Sequence, residues 1–224
     1  MRRSFKLLVF DWDGTLMDSE AQILACVRAA ADDLKLDIPS DDSIRNIIGL
    51  GLKEAVITLF PESDDNQVTN VVTRYRYHFL EANNTPSTLF AGACKVLTEL
   101  SEQGYLLAVA TGKGRRGLDQ VLAETGLGRL FHTTRCADET FSKPHPEMLL
   151  QIMEELGTQG EETLMIGDTE YDMQMANSAR AHGLAVSYGV HEPARLLRHE
   201  PLGCLDDIAD LTDWLDQYRQ PTLS

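Results

Sequence analysis

The chain has 224 residues and a formal net charge of −15, enough length for one large domain or for a core with a smaller insertion. An acidic surface repels nucleic-acid phosphates and anionic lipid, so binding to either is not expected. Any anionic substrate has to be met by local cations and a metal, because the global field opposes it.

The first predicted element is a strand over Leu7 to Phe10, a short apolar run of the kind buried on both faces of a sheet. It stops at two carboxylates two residues apart, Asp11 and Asp13, followed by Gly14-Thr15. A buried parallel strand delivers such residues to its C-terminal rim, where ligands bind in open α/β sheets. Aspartate and threonine also cap helices, but that role does not account for two acids followed at once by Gly-Thr. Asp18-Ser19-Glu20 opens a helical pattern to about Leu36, broken at Ile38-Pro39-Ser40. Shorter patterns over Ile44 to Ile48 and Leu52 to Phe60 flank Gly49-Leu50-Gly51, and a longer one runs from about Asn66 to Ala82. Residues 83–87 read as a linker. No strand is expected between Met17 and Ala82, so this block is predicted to be an all-helical insertion.

From Phe90 the pattern alternates. A helix over Ala93 to Gln103 ends at Gly104, and a strand over Tyr105 to Ala110 ends in Thr111-Gly112-Lys113. A helix from Arg116 to Thr125 and a weak strand over Leu130 to Thr134 follow, and Lys143-Pro144-His145-Pro146 precedes a helix over Glu147 to Leu156. The strand Thr163 to Ile166 ends in Gly167-Asp168-Thr169-Glu170-Tyr171-Asp172, with a helix on to Ala181. Short strands at Leu184 to Ser187 and Gly203 to Leu205 and a helix from Ile208 to Tyr218 complete the pattern. Strand–helix alternation predicts an α/β fold, a doubly wound parallel sheet with helices on both faces.

Cys26, Cys94, Cys136 and Cys204 are widely spaced with no C-x-x-C pair, so neither a zinc site nor a disulfide framework is expected. Arg2-Arg3 precedes an apolar run too short for a signal peptide, and no stretch approaches the ~20 apolar residues of a membrane span. A soluble, cytoplasmic protein is expected.

Four motifs occur in order: Asp-x-Asp-Gly-Thr-Leu at Asp11, Thr-Gly-Lys at Thr111, Lys-Pro at Lys143 and Gly-Asp-Thr-x-x-Asp at Gly167. Together they resemble the motifs of the haloacid dehalogenase superfamily, whose members are mostly Mg²⁺-dependent phosphatases, and the resemblance spans essentially the whole chain. It implies a Rossmann-like core over 1–16 and 87–224 with a helical cap over 17–86. It further implies that Asp11 is a nucleophile forming an aspartyl-phosphate and Asp13 a general acid/base. Phosphoryl transfer to a carboxylate needs a cation between two mutually repelling anions, and Mg²⁺ binds carboxylates while keeping several waters. The implied metal site is Asp11 and Asp168, the backbone carbonyl of Asp13, and Asp172, which either holds a metal-bound water or orients Lys143. Thr111, Gly112 and Lys113 are expected at the phosphate, and Lys143 supplies a fixed positive charge.

An acid at Asp13 argues against the dehalogenases themselves, since only ester cleavage needs a proton donor for the leaving group. The insertion after the first motif and Ser142-Lys143-Pro144 look like the phosphoglycolate phosphatase-like subfamily. The expected partner is a small phosphorylated metabolite, phosphoglycolate-like or a sugar phosphate. A β-phosphoglucomutase-like mutase, a pyrophosphatase and, from another class, a phosphoacceptor signalling module remain alternatives. Such a module needs only about half this length and no cap. Arg45, beside Gly49-Leu50-Gly51, is the cap residue first expected to reach the substrate. Arg115 and Arg116 stand at a helix start, where the macrodipole disfavours cations. Either a substrate anion or an acidic neighbour would account for them, and Arg116 is assigned to the substrate.

Overall fold

In the computed structural model, which describes residues 5–219, a six-stranded parallel sheet runs in the order β5-β4-β1-β6-β7-β8. Its central strand β1 (Leu7–Phe10) has all four residues fully buried, which is what its unbroken apolar run requires. β4 (Leu106–Thr111) lies on one side of β1 and β6 (Thr163–Gly167) on the other. The chain winds outward through β4 to β5 (Thr133–Cys136), then crosses back to β6 and on to β7 (His182–Val186) and β8 (Cys204–Leu205). The winding direction reverses at β1, so the crevice at its C-terminal end is where such a sheet binds ligands.

The two-residue period of the strands divides the core. Leu8, Phe10, Leu107, Val109, Leu164 and Ile166 pack with α5 (Ala93–Glu102), α6 (Arg115–Thr125) and α10 (Leu211–Arg219). Leu7, Val9, Ala108, Ala110 and Met165 face the other way, onto α7 (Glu147–Leu156) and α8 (Glu170–Ser178). The doubly wound α/β expectation holds.

Between β1 and α5 lie α1 (Glu20–Asp33), α2 (Asp41–Ile47), α3 (Leu52–Leu59) and α4 (Asp65–Tyr77). Three local expectations need correction. The region is not free of strand: β2 (Met17–Asp18) pairs antiparallel with β3 (Thr88–Leu89), tying together the points where the chain enters and leaves the helical block. The helix expected to reach Ala82 ends as α helix at Tyr77 and continues as a π turn over His78–Ala82. The strand expected over Leu130 to Thr134 starts later, because Leu127–Leu130 forms a 3₁₀ turn and β5 begins at Thr133. All four cysteines are unpaired; Cys26 and Cys136 are buried and Cys94 is exposed. No helix among the described residues is long and apolar enough to cross a membrane.

Candidate active site

Asp11 follows β1 directly, its backbone N–H donating to the Ile166 carbonyl of β6 at 2.9 Å. Gly14 then turns the chain with φ +81°, a conformation that costs glycine little. A Cβ at Gly14 would lie 2.2 Å from Asp168 Oδ2, so only glycine lets the first loop pass this close to the end of β6. The Thr15 hydroxyl completes the contact, donating to Asp168 Oδ1 at 2.8 Å. Val190 N–H donates to Asp168 Oδ2 at 2.9 Å.

Asp11, Asp168 and Asp172 are buried, with carboxylate oxygens within 4.8 Å of one another. One buried cation serves them: Lys143 Nζ lies 2.8 Å from Asp11 Oδ1 and 2.6 Å from Asp172 Oδ1. The other oxygen of Asp172 accepts from the Thr169 backbone N–H at 3.1 Å and its hydroxyl at 2.6 Å, a reciprocal cap on α8. Both oxygens of Asp172 are thus engaged, one of them by Lys143. Asp11 Oδ2 is different: it is buried without a hydrogen-bond partner.

Three carboxylates against one ammonium leave surplus negative charge in a desolvated volume. Burial, with Asp172 and Asp168 adding to it, pushes the Asp11 carboxyl well above the usual carboxylate range. Burial, then Asp172, raises Asp168 to about 7. Burial pulls Lys143 down, but Asp11 and Asp172 outweigh it and keep it charged. A hard dication fits this donor set, since it would balance the charge and give Asp11 Oδ2 a partner.

Asp13 stands apart from the trio. Its Oδ1 accepts from the Ser19 hydroxyl at 2.6 Å and pairs with Lys113 Nζ at 3.0 Å, so its side chain is not a member of the carboxylate cluster. A metal contact at Asp13 would fall to its backbone carbonyl. Ser19 caps α1 by position, yet its hydroxyl makes no cap bond and goes to Asp13 instead. Lys113 was expected at the phosphate. The structure gives its ammonium to Asp13 and lays it 4.3 Å over the Phe79 ring, with the side chain 6% exposed. Thr111 is buried beside it, and its hydroxyl accepts from Lys113 N–H at 3.1 Å while keeping its own hydrogen to donate.

Gly112 acts by lacking a side chain. A Cβ there would meet the Leu50 carbonyl at 2.4 Å and the Gly49 carbonyl at 2.5 Å, so the α2–α3 loop lies directly on it. The same loop is held by Ser142, whose hydroxyl accepts from Gly51 N–H at 2.6 Å. At the end of α2, Tyr171 hydroxyl donates to the Asn46 carbonyl at 2.7 Å and Arg195 to its side chain at 2.6 Å.

Arg45 is not brought to the site. It pairs with Glu20 at 2.7 Å and Asp42 at 3.0 Å and is absent from the walls of the cavity above Asp11. Arg115 also has acidic neighbours, bonding Glu139 at 2.8 Å and Asp119 at 3.1 Å. Arg116 does reach the cavity rim, 74% exposed and only 3.5 Å from Glu81. Thr15 and Ser142 stand in the motifs above without an assigned role, and nothing in the sequence marks Val190. Tyr75 and Phe79 also line the cavity, four residues apart along the α4–π turn, a spacing that marks one helix face.

The chain matches the model of the haloacid dehalogenase-like hydrolase family over residues 8–186. It belongs to that family. This hydrolase is similar to “Probable phosphatase IndB” of Dickeya dadantii, 35% identical over 92% of this chain and 91% of the relative. It is also 28% identical to a phosphoglycolate phosphatase of Haemophilus influenzae, over 94% of this chain and 98% of the relative. A haloacid dehalogenase-like hydrolase structure from Bacteroides fragilis superposes with a TM-score of 0.87 at 25% identity, covering 93% of this chain and 100% of the other.

Proposed function

We propose that this hydrolase is a Mg²⁺-dependent phosphomonoesterase acting on a small phosphorylated metabolite, through an aspartyl-phosphate on Asp11. The observation that carries the reading is Asp11 itself: buried, fixed by Lys143, with Oδ2 unpartnered, and on the wall of a cavity that also includes Asp13 and Thr111. An Asp11 oxygen attacks phosphorus, and the P–O bond to the alcohol breaks as Asp13 gives the alkoxide its proton. Water then attacks phosphorus, Asp13 takes the proton, and phosphate leaves with the Asp11 carboxylate restored. Ser19 and Lys113 hold one Asp13 oxygen, and its second oxygen takes part in neither bond. The Thr111 hydroxyl is available to a phosphoryl oxygen.

Asp11, Asp168 and the Asp13 backbone carbonyl would hold Mg²⁺, with Asp172 behind Lys143. Bound there, the ion supplies charge neutralisation and Lewis acidity toward the phosphoryl oxygens. The arrangement is read as a core over 1–16 and 87–224 and a cap over 17–86, with β2 and β3 as the ribbon between them. The cap serves to exclude water and to meet the leaving group.

The test is phosphate release from phosphoglycolate, sugar phosphates, nucleotides and pyrophosphate, with Mg²⁺ or with EDTA. Mg²⁺-dependent release from phosphomonoesters is expected. Isomerisation of a sugar phosphate without release, or release from pyrophosphate alone, would overturn the assignment.

A further inference from the structure

The cavity above Asp11 measures about 770 Å³ and does not stop at the catalytic rim. It runs into the helical block, whose apolar residues form two separate clusters: one around Ile23, Val27, Ile47 and Ala55, the other around Val56, Val68 and Val71. Both clusters contribute to its walls, as do the half-buried Leu59, Phe60, Val72 and Phe79. The charged side chains that this block adds, Lys53, Glu54, Arg76 and Glu81, are all solvent-exposed. The shielded cation on the wall, Lys113, is already matched by Asp13. Of the other cations expected to face the substrate, Arg45 pairs with acids outside the cavity and Arg116 stands exposed at its rim beside Glu81.

Apart from the half-buried Tyr75, the polar side chains that the helical block adds to the walls are exposed ones, so a second anionic group on the substrate, or a ring of hydroxyls, would meet few partners inside, and an unpaired buried polar group is costly. An apolar group would instead gain from burial there. We propose, building on the phosphomonoesterase reading, that the preferred substrate is the phosphate ester of an alcohol with a sizeable apolar moiety, which occupies the chamber between α1, α3 and α4 while the phosphoryl group sits at Asp11. The cap then selects by hydrophobic fit.

The test is kcat/KM for ethyl, butyl, hexyl and octyl phosphate beside phosphoglycolate, all with Mg²⁺. The alkanols leave with similar intrinsic ease, so the trend reports the chamber. An increase of about two- to fourfold per methylene is expected, the upper figure being the rate equivalent of roughly 0.8 kcal/mol per CH₂. Val72→Trp, which fills part of the wall, should flatten the series. Independently of any variant, hexylphosphonate should inhibit at least about tenfold better than methylphosphonate. A flat alkyl series, a preference for phosphoglycolate over hexyl phosphate, or an unchanged slope in folded Val72→Trp would overturn the proposal and leave the phosphatase standing. Failure to hydrolyse any of these esters would overturn both.

Discussion

Lys143 is the residue on which the site's charge balance turns. It is buried between Asp11 and Asp172, and removing it leaves two carboxylates buried without their cation. Such a loss costs about 3–5 kcal/mol of stability. Removing a preorganised charge at a reacting group costs about 10²–10³ in kcat. Lys143→Met should therefore shift the urea midpoint strongly downward and, in whatever fraction folds, release phosphate at least a hundredfold more slowly. A variant of unchanged stability would contradict the pairing. The roles at this scale were unequally legible. Asp11, Asp13, Thr111, Lys143 and Asp168 each end a strand or open a helix at one rim, so the alternation of elements was enough to collect them. Arg45 was misjudged because its partners Glu20 and Asp42 are set by how α1 and α2 pack, which local spacing does not encode. Lys113 stands at the expected rim, and its contacts with Asp13 and Phe79 could not be read from the sequence because they arise only in three dimensions.

At the level of elements, the α2–α3 loop is the contact through which the helical block reaches the catalytic rim. It rests on Gly112 and is pinned by Ser142 and, through Asn46, by Tyr171 and Arg195. Gly112→Ala places a Cβ 2.4 Å from the Leu50 carbonyl, so loop and strand end must separate. The expected outcome is at least a tenfold loss in kcat/KM, in line with the sensitivity of positioned sites to shifts near 1 Å, with the far-ultraviolet circular dichroism spectrum retained. Wild-type activity in Gly112→Ala would show that this seating does not matter. The long elements were readable because β1, β4 and β6 are continuous apolar runs and α5 to α8 carry a helical period. β2 and β3 were not, because two residues are too few to express a period of two. Their pairing is decided by where the chain leaves and re-enters the core. The π turn after Tyr77 likewise has no apolar period distinct from that of α4.

For the whole molecule, a net charge of −15 opposes every anion that approaches, and the site itself concentrates three of the carboxylates. A dication that binds the native chain and not the unfolded one should stabilise it by about 2.7 kcal/mol at a hundred times its Kd, which for a chain of this size is a shift of roughly 5–10 °C in Tm. Mg²⁺ should raise the Tm of EDTA-stripped protein by that order, and Asp168→Asn should lose most of the gain. An equal shift in the variant would move the ion elsewhere. The fold as a whole was the most legible level of all, because strand–helix alternation leaves only a handful of parallel-sheet topologies. The apolar chamber was the least legible, because a cavity is made by residues that fail to fill the space between helices.

The most direct measurement is to trap the intermediate. Asp13→Asn should still form the aspartyl-phosphate from an activated substrate such as acetyl phosphate, but release it slowly, because the water that frees phosphate has lost its base. Incubating that variant with radiolabelled acetyl phosphate and Mg²⁺, then quenching in acid, should leave label on the peptide that contains Asp11. The label should be lost to hydroxylamine and absent from the Asp11→Asn, Asp13→Asn double variant. Label on any other residue, or label persisting in the double variant, would contradict Asp11 as the nucleophile.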